Sequence, residues 1–129
     1  MRAAWSALDE ATQQKLSSLT AHHSLAHSQR LLGEETKSED SEYIGYGLDV
    51  DDVPLRPLVK IHPETGTPSL AVGRHAYGIP GLPGEESDTL IADLINFAVA
   101  DENRIYQHRW TTGDVVVWDN RCLMHKACA

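Results

Sequence analysis

The strongest signal for the fold in the sequence is the stretch 113–127, which reads GDVVVWDNRCLMHKA. The glycine and aspartate that open it favour a turn, and the β-branched run that follows predicts a buried strand over 115–118. Asp119 and Asn120 are turn-forming residues, so the chain is expected to turn again there. Arg121 then begins the last predicted strand. The stretch therefore predicts two short strands separated by a tight turn.

The histidine in this last strand is the first candidate functional residue. Successive side chains of a strand point to opposite faces, so Leu123, His125 and Ala127 share one face. Among these apolar neighbours we expect His125 to point inward. A histidine that points inward near a strand end is sometimes a metal ligand and more often a hydrogen-bonded core residue. The residues alone leave both interpretations open.

Outside this stretch, turn signals and hydrophobic periodicity divide the chain into short elements. Apolar residues at helical spacing predict helices, and short hydrophobic runs bounded by turn residues predict strands. The predicted elements are a helix over 1–32 with a cap at Asp9, strands over 58–61 and 69–72 joined by a turn at 62–66, a loop over 78–84, a helix over 86–100 capped by Ser87, a strand over 105–110 and a turn at 111–114.

The acidic residues are concentrated in one segment. Eight of the 19 acids lie between residues 34 and 52, where Lys37 is the only base. We therefore expect 34–52 to be a mobile loop or lid whose charges repel one another. The rest of the chain is close to neutral and has no basic patch to neutralise phosphates, so nucleic acid is not an expected partner.

The cysteines and the hydropathy pattern favour a cytoplasmic protein. Extended chain between Cys122 and Cys128 would hold their Cα atoms about 20 Å apart, whereas a disulfide needs about 7 Å or less. Unpaired thiols are typical of a reducing compartment. The sequence has no run of about 20 apolar residues, so we expect no membrane partner.

The stretch 113–127 closely resembles the signature around the distal iron-binding histidine of the TauD/TfdA family of Fe(II)/2-oxoglutarate-dependent dioxygenases. Less specific resemblances to the same family follow in the right order along nearly the whole chain. They cover the segments 1–8, 21–28, 62–66, 69–76 and 106–110.

The resemblance implies a fold and a reaction. The fold is mainly β with flanking helices, a partial double-stranded β-helix of the jelly-roll, cupin-like kind. His125 would be the distal iron ligand, with Trp118 near the metal, and Ser28, Gln29 and His75 would approach the substrate. With Fe(II), O2 and 2-oxoglutarate, the family's reaction is oxidative hydroxylation of a small organic acid such as a sulfonate, a sulfate ester or an aryloxy acid.

Three parts of the family pattern are expected outside this chain. The His-x-Asp iron ligands and the threonine that binds 2-oxoglutarate would precede Met1, and the arginine that pairs with the cosubstrate carboxylate would follow Ala129. We therefore expect residues 1–129 to be part of a dioxygenase domain, from a truncated gene, an incomplete sequence or a wrongly chosen start. The chain alone is expected to be inactive, and it could form a homo-oligomer.

Other histidines offer alternative metal sites. His62-Pro63-Glu64 is a His-x-Glu triplet, but its proline and the Thr-Gly that follows favour a hairpin tip far from any metal. His23 and His27 are four residues apart and would share a helix face, as zinc ligands can. A polar helix face explains that pair as well.

The remaining polar residues of the C-terminal stretch have structural interpretations. Asp114, Asp119 and Asn120 are expected to form turns, and Arg121 is expected to make a structural ion pair. Two other functions stay open for the chain as a whole. One is a non-catalytic β fragment, and the other is a small cupin-like metal-binding module that uses His62, Glu64 and His125.

Overall fold

The computed structural model describes residues 1–31 and 53–127, so the predicted acidic loop or lid at 34–52 lies outside the described residues. Its helices are α1 (Arg2–Ser6), α2 (Glu10–Ser17), α3 (Leu25–Leu31) and α4 (Gly84–Val99), followed by a short 3-10 helix at Glu102–Arg104. Its strands are β1 (Thr20–His23), β2 (Leu55–Pro57), β3 (Val59–Ile61), β4 (Pro68–Leu70) and β5 (Ala76–Tyr77). No helix among the described residues is long and apolar enough to cross a membrane.

The N-terminal third is divided into separate elements, so the prediction of one helix over 1–32 is wrong. Asp9 is a helix cap, as predicted, but it caps α2, where its carboxylate accepts a hydrogen bond from the Thr12 backbone N–H at 2.9 Å. Beyond Ser18 the chain becomes β1, the central strand of an antiparallel sheet with β2 on one side and β5 on the other. Pairing along both edges of a strand outweighs the weak helical pattern.

The predicted hairpin is confirmed with slightly shorter strands. β3 and β4 pair antiparallel, with Val59 opposite Leu70. The turn between them closes where the Gly66 N–H donates to the His62 carbonyl at 2.8 Å, and Gly66 has a positive φ of 65° that favours glycine.

The predicted long helix is confirmed, but its predicted cap is wrong. α4 begins at Gly84, with Pro83 at the cap position. Ser87 lies inside the first turn, is fully buried, and accepts the Ile79 backbone N–H at 2.6 Å. It therefore attaches the preceding loop to the helix instead of capping the helix end.

One apolar cluster joins these elements. α1 packs on β4 and on α4, and α4 also packs on β5. The completely buried side chains of the cluster include Leu16 from α2 and Leu58, just before β3. The backbone at Leu58 bridges the two sheets, since its N–H donates to the Leu19 carbonyl and its carbonyl accepts from the Ala71 N–H.

No strand pairing occurs in 105–127, so the predicted strands at 105–110, at 115–118 and from Arg121 onwards are wrong for the described residues. The turn hydrogen bonds in this part are local, as between the Asp114 N–H and the Thr111 carbonyl. Val115 and Val117 are more than 80% exposed. A β-rich sequence forms a strand only where another strand is present to pair with it.

Helices hold more of the described residues than strands do, so the mainly β composition is not found in this part of the chain. The two small sheets do not close into a barrel within the described residues. The partial jelly roll stays a prediction for the sheet architecture. The unpaired state of Cys122 and Cys128 also stays a prediction, because Cys128 lies outside the described residues, while Cys122 is buried with a free thiol.

Candidate functional site

A cavity of about 360 Å³ opens between α3, the end of β1 and the chain before β5. Its lining residues are His23, Ser24, Leu25, Ser28, Arg56, Lys60 and His75. A smaller cavity of about 90 Å³ adjoins it and shares His23, Lys60 and His75 with it. The smaller cavity extends to Asn120, Arg121 and Leu123, so the pocket reaches the C-terminal stretch.

Backbone pairing places the two histidines of this pocket together. His23 is the last residue of β1 and lies opposite Ala76 of β5. The next residue, Ser24, donates its N–H to the His75 carbonyl at 2.8 Å. The two imidazole rings consequently lie edge to face, with centroids 4.8 Å apart.

A glycine makes room for the His75 ring. A Cβ added at Gly73 would lie 2.8 Å from the His75 Cε1 atom, closer than real side-chain contacts allow. Any larger residue at position 73 would therefore displace the ring from its present position in the pocket.

The pocket combines two cations with two histidines that stay neutral at pH 7. Burial, then the charges of His75, Lys60 and Arg56, lower the pKa of His23 to about 4. Burial, then Lys60 and Arg56, also lower the pKa of His75. Burial, then Arg56, lowers the pKa of Lys60. A pocket with this charge pattern favours an anionic ligand over a cationic one.

Two polar groups beside the pocket have hydrogen-bonding capacity that the described residues do not use. The buried Nε2 of His23 has no hydrogen-bond partner within the described ranges, and buried polar groups normally have one. The buried Ser28 hydroxyl accepts a hydrogen bond from Arg74 Nε at 3.0 Å, and its own proton has no acceptor among residues 1–31 and 53–127.

The structure brings together part of the predicted substrate site. Ser28 and His75 both line the larger cavity. Gln29 follows Ser28 on α3 and is half-buried, but it does not line the cavity. The sequence interpretation missed Arg56 and Lys60. The sequence feature that could have identified these two residues is a pair of cationic side chains in a strand-forming stretch that is otherwise apolar.

The proposed helix face of His23 and His27 is wrong. His23 belongs to β1, whereas His27 belongs to α3. The His27 ring stacks on Tyr77 at a centroid distance of 4.4 Å. The two residues consequently have different neighbours, and His23 is a pocket residue.

His125 does not point inward as expected. It is exposed, and its ring lies 4.9 Å from the ring of Trp118. Trp118 is itself 46% exposed, and its indole N–H donates to Asn120 Oδ1 at 2.8 Å. The expectation depended on a strand with an apolar side, and this stretch forms no strand. The structure does bring the predicted metal ligand and its predicted neighbour into contact.

The turn between these two aromatic residues is held by Asp119. Its Oδ1 accepts the Arg121 backbone N–H at 2.8 Å, and its carboxylate pairs with the Arg121 guanidinium at 2.8–3.1 Å. The structural ion pair of Arg121 and the turn at Asp119 are confirmed. Asp114 is a turn former as well, because it accepts the Thr111 N–H at 2.9 Å.

His62 lies in the hairpin turn, as expected, but it is not remote from the C-terminal stretch. Its side chain is 6% exposed, and its Nε2 lies 2.9 Å from Asp119 Oδ2. Hydrogen bonds from Arg121 and then from His62 hold the pKa of Asp119 well below its usual range. Sequence reasoning missed this contact because the two residues are 57 positions apart.

Candidate metal ligands among the described residues show whether a metal ion would fit there. The only compact group of possible ligands in that part of the chain is His62, Asp119 and Cys122. It is a poor site, since Arg121 and His62 already occupy the Asp119 carboxylate and place a cation beside it. Glu64 and His125 are not part of the group, so the cupin-like set of His62, Glu64 and His125 is not assembled. His125 fits as a single accessible imidazole ligand.

Comparison with known proteins identifies close relatives. All 129 residues match the model of the family described as "Taurine catabolism dioxygenase TauD, TfdA family". The chain is 58% identical over 127 residues to an (S)-phenoxypropionate/alpha-ketoglutarate-dioxygenase of Sphingobium herbicidovorans, covering 98% of this chain and 44% of the relative. It is 38% identical over 126 residues to an alpha-ketoglutarate-dependent 2,4-dichlorophenoxyacetate dioxygenase of Cupriavidus pinatubonensis, covering 98% of this chain and 42% of the relative.

Solved structures agree with this relationship. A putative alpha-ketoglutarate-dependent 2,4-D dioxygenase from Burkholderia xenovorans matches with a TM-score of 0.79 and 29% identity, over 95% of this chain and 45% of that one. AAD-2 in complex with Mn(II) and N-oxalylglycine matches with a TM-score of 0.69 and 30% identity, over 86% of this chain and 41% of that one. The chain thus spans less than half the length of the relatives that it matches.

Proposed function

Because this chain belongs to the TauD, TfdA family of dioxygenases, we propose that the whole protein that carries it is an Fe(II)- and 2-oxoglutarate-dependent dioxygenase. His125 would hold the iron as one ligand, and Trp118 would pack beside the metal. When bound, iron and 2-oxoglutarate would activate O2, so that one oxygen atom enters a C–H bond of the substrate and the other oxidises 2-oxoglutarate to succinate and CO2. The residues of this chain bind and orient that substrate.

The observation that carries the proposal for the substrate is the cationic pocket. Lys60 and Arg56 supply positive charge at its wall, and the neutral rings of His23 and His75 supply hydrogen-bonding nitrogen atoms. A carboxylate placed between them would gain charge-assisted hydrogen bonds, which are the stronger kind. The Ser28 hydroxyl is placed to donate one more.

The cavity volume and the names of two relatives support an aryloxy acid as the proposed substrate. A volume of about 360 Å³ is near the lower end of the range of small-molecule pockets, roughly 300–1,000 Å³. It suits an acid with one aromatic ring. The relatives from Sphingobium herbicidovorans and Cupriavidus pinatubonensis are named for phenoxypropionate and 2,4-dichlorophenoxyacetate. Gln29, one residue from Ser28 on α3, does not line the cavity, so its contact with the substrate stays a prediction.

Replacing the pocket lysine tests this assignment. In the whole protein, Lys60→Met should raise the KM for 2-phenoxypropionate about tenfold or more, because a hydrogen bond to a charged group is worth about 1.5–3 kcal/mol. Iron content should stay the same. Lys15→Met is the matched control, since Lys15 is exposed on α2 and away from the cavity. An unchanged KM for Lys60→Met would contradict the anionic subsite.

Replacing the proposed iron ligand tests the reaction class. His125→Ala should abolish the succinate formation that depends on iron and 2-oxoglutarate, and it should lower the iron bound per protein. His108→Ala is the matched control, because His108 lies on the same stretch and is paired with Asp114 instead. Iron binding and turnover that survive in His125→Ala would refute the assignment of the ligand.

The choice among acids can be tested with the unmodified protein. We expect coupled succinate formation with 2-phenoxypropionate to exceed that with an alkyl sulfate or a sulfonate of similar size at equal concentration. A clear preference for the sulfate or the sulfonate would keep the dioxygenase assignment and overturn the aryloxy acid.

A further inference from the structure

We propose that His62 is a positioning residue: its hydrogen bond to Asp119 holds the turn at 119–122 and, through that turn, sets the position of His125. The proposal rests on the proposed role of His125 as an iron ligand. It assigns a function to a buried histidine that belongs neither to the pocket nor to the metal ligands.

The protonation pattern of His62 follows from its neighbours. Its Nδ1 faces the backbone N–H groups of Glu64 and Thr65, both at 3.3 Å, so this atom accepts hydrogen bonds and carries no proton. The remaining ring proton is then on Nε2, which donates to Asp119 Oδ2 at 2.9 Å. One ring therefore joins the hairpin turn to the C-terminal stretch.

The stretch that carries His125 has few other attachments. Cys122, which is 3% exposed, is the only buried residue of 105–127. The Ser69 hydroxyl donates to the Arg121 carbonyl at 3.4 Å, a long hydrogen bond. The contact of His62 with Asp119 is the shortest hydrogen bond between the hairpin and this stretch, so it is the attachment whose loss should matter most.

The turn connects this attachment to the proposed metal ligand. Asp119 directly follows Trp118, and the Cys122 N–H donates to the Asp119 carbonyl at 3.2 Å to close the turn. On the far side of the turn His125 returns to contact Trp118 at a centroid distance of 4.9 Å. A rotation at Asp119 would therefore change where the His125 ring lies relative to Trp118.

A direct ligand role for His62 does not fit the same geometry. A metal at His62 and Asp119 would have to displace the Arg121 guanidinium, which holds both oxygens of the Asp119 carboxylate. His62 thus acts through Asp119 and the turn.

Three variants of the whole protein test the proposal. His62→Phe keeps a ring of similar shape and removes all three hydrogen bonds of the imidazole, whereas His62→Gln keeps an N–H donor at nearly the place of Nε2. Ser87→Ala is the control, because it removes a buried hydrogen bond to Ile79 far from the turn. The measurement is the Fe(II) dissociation constant by equilibrium titration, together with the absorption spectrum of the Co(II)-substituted protein, which reports the coordination geometry.

We expect His62→Phe to weaken Fe(II) binding by up to about tenfold, the lower end of the effect of removing a group bonded directly to a ligand, because His62 acts on His125 through the turn. It should also alter the Co(II) spectrum. His62→Gln should restore most of the affinity, and Ser87→Ala should lower the stability and leave both readouts unchanged.

An unchanged dissociation constant in His62→Phe would overturn the proposal, and so would a His62→Gln variant as weak as His62→Phe. If His62→Phe does not fold, Asp119→Asn takes its place, with weaker Fe(II) binding expected and unchanged binding overturning the proposal. Fe(II) binding by the unmodified protein and by His125→Ala distinguishes a failure of the proposed function from a failure of the positioning role alone. If these two bind Fe(II) equally, the proposed function has failed; if they differ while His62→Phe matches the unmodified protein, only the positioning role has failed.

Discussion

Acidification should destabilise the whole protein through His23. In the folded state its pKa is lowered to about 4 by burial and then by His75, Lys60 and Arg56, against an ordinary value of 6.5. Between those two values the unfolded chain binds a proton that the folded chain does not. The contribution of the neutral His23 ring to the free energy of unfolding is therefore fully present above pH 6.5. It is lost progressively as the pH falls towards 4.

The size of the effect follows from the same pKa. Each tenfold difference in proton affinity is worth about 1.4 kcal/mol, which sets a ceiling of about 3 kcal/mol for His23. The ring is only half-buried, so water screens the interaction, and we expect about 1–2 kcal/mol. The assay is urea unfolding of the unmodified protein and of His23→Gln at pH 7.5 and pH 4.5.

His23→Gln has no ring to protonate, so it should lose about 1–2 kcal/mol less stability than the unmodified protein between these two pH values. A histidine NMR titration gives the direct check. Equal losses in the two proteins, or a His23 pKa near 6.5, would refute the reasoning.

Two further predictions concern the core and the pocket. Leu58→Ala should lower the free energy of unfolding by about 2–5 kcal/mol, because the side chain is completely buried where the two sheets meet. Denaturant titration measures this free energy. A loss below about 1 kcal/mol would contradict the packing described for Leu58. Gly73→Ala should raise the KM for the aryloxy acid with unchanged iron content, because its Cβ would lie 2.8 Å from the His75 ring. Equal KM values would show that this ring does not contact the substrate.

Local features of the fold were predictable from the sequence. The apolar spacing of 86–100 predicted α4, and the turn residues at 62–66 predicted the hairpin of β3 and β4. The Asp119 turn and its ion pair with Arg121 also followed from neighbouring residues. Each of these features depends on hydrogen bonds or contacts between residues that are close in the chain, so the signal is present in a short window.

The pocket was only partly predictable. Ser28 and His75 were identified through the family pattern, which orders segments along the chain without showing what surrounds them. His23 was assigned to a helix face because β1 has no strong strand pattern of its own. It became a pocket residue because β1 pairs with β2 and β5 at once, and both partners lie more than 30 residues away in the chain.

By itself, the sequence determined the family, the helix α4, the hairpin and the turn at Asp119, because periodicity, turn chemistry and the motif at 113–127 are properties of adjacent residues. Only the tertiary structure decided three other features: the meeting of His23, Lys60 and His75 in one pocket, the contact of His62 with Asp119, and the exposed position of His125. These depend on which distant segments pair and pack. That choice is set by the sum of many weak long-range contacts, and no short stretch of sequence contains that sum.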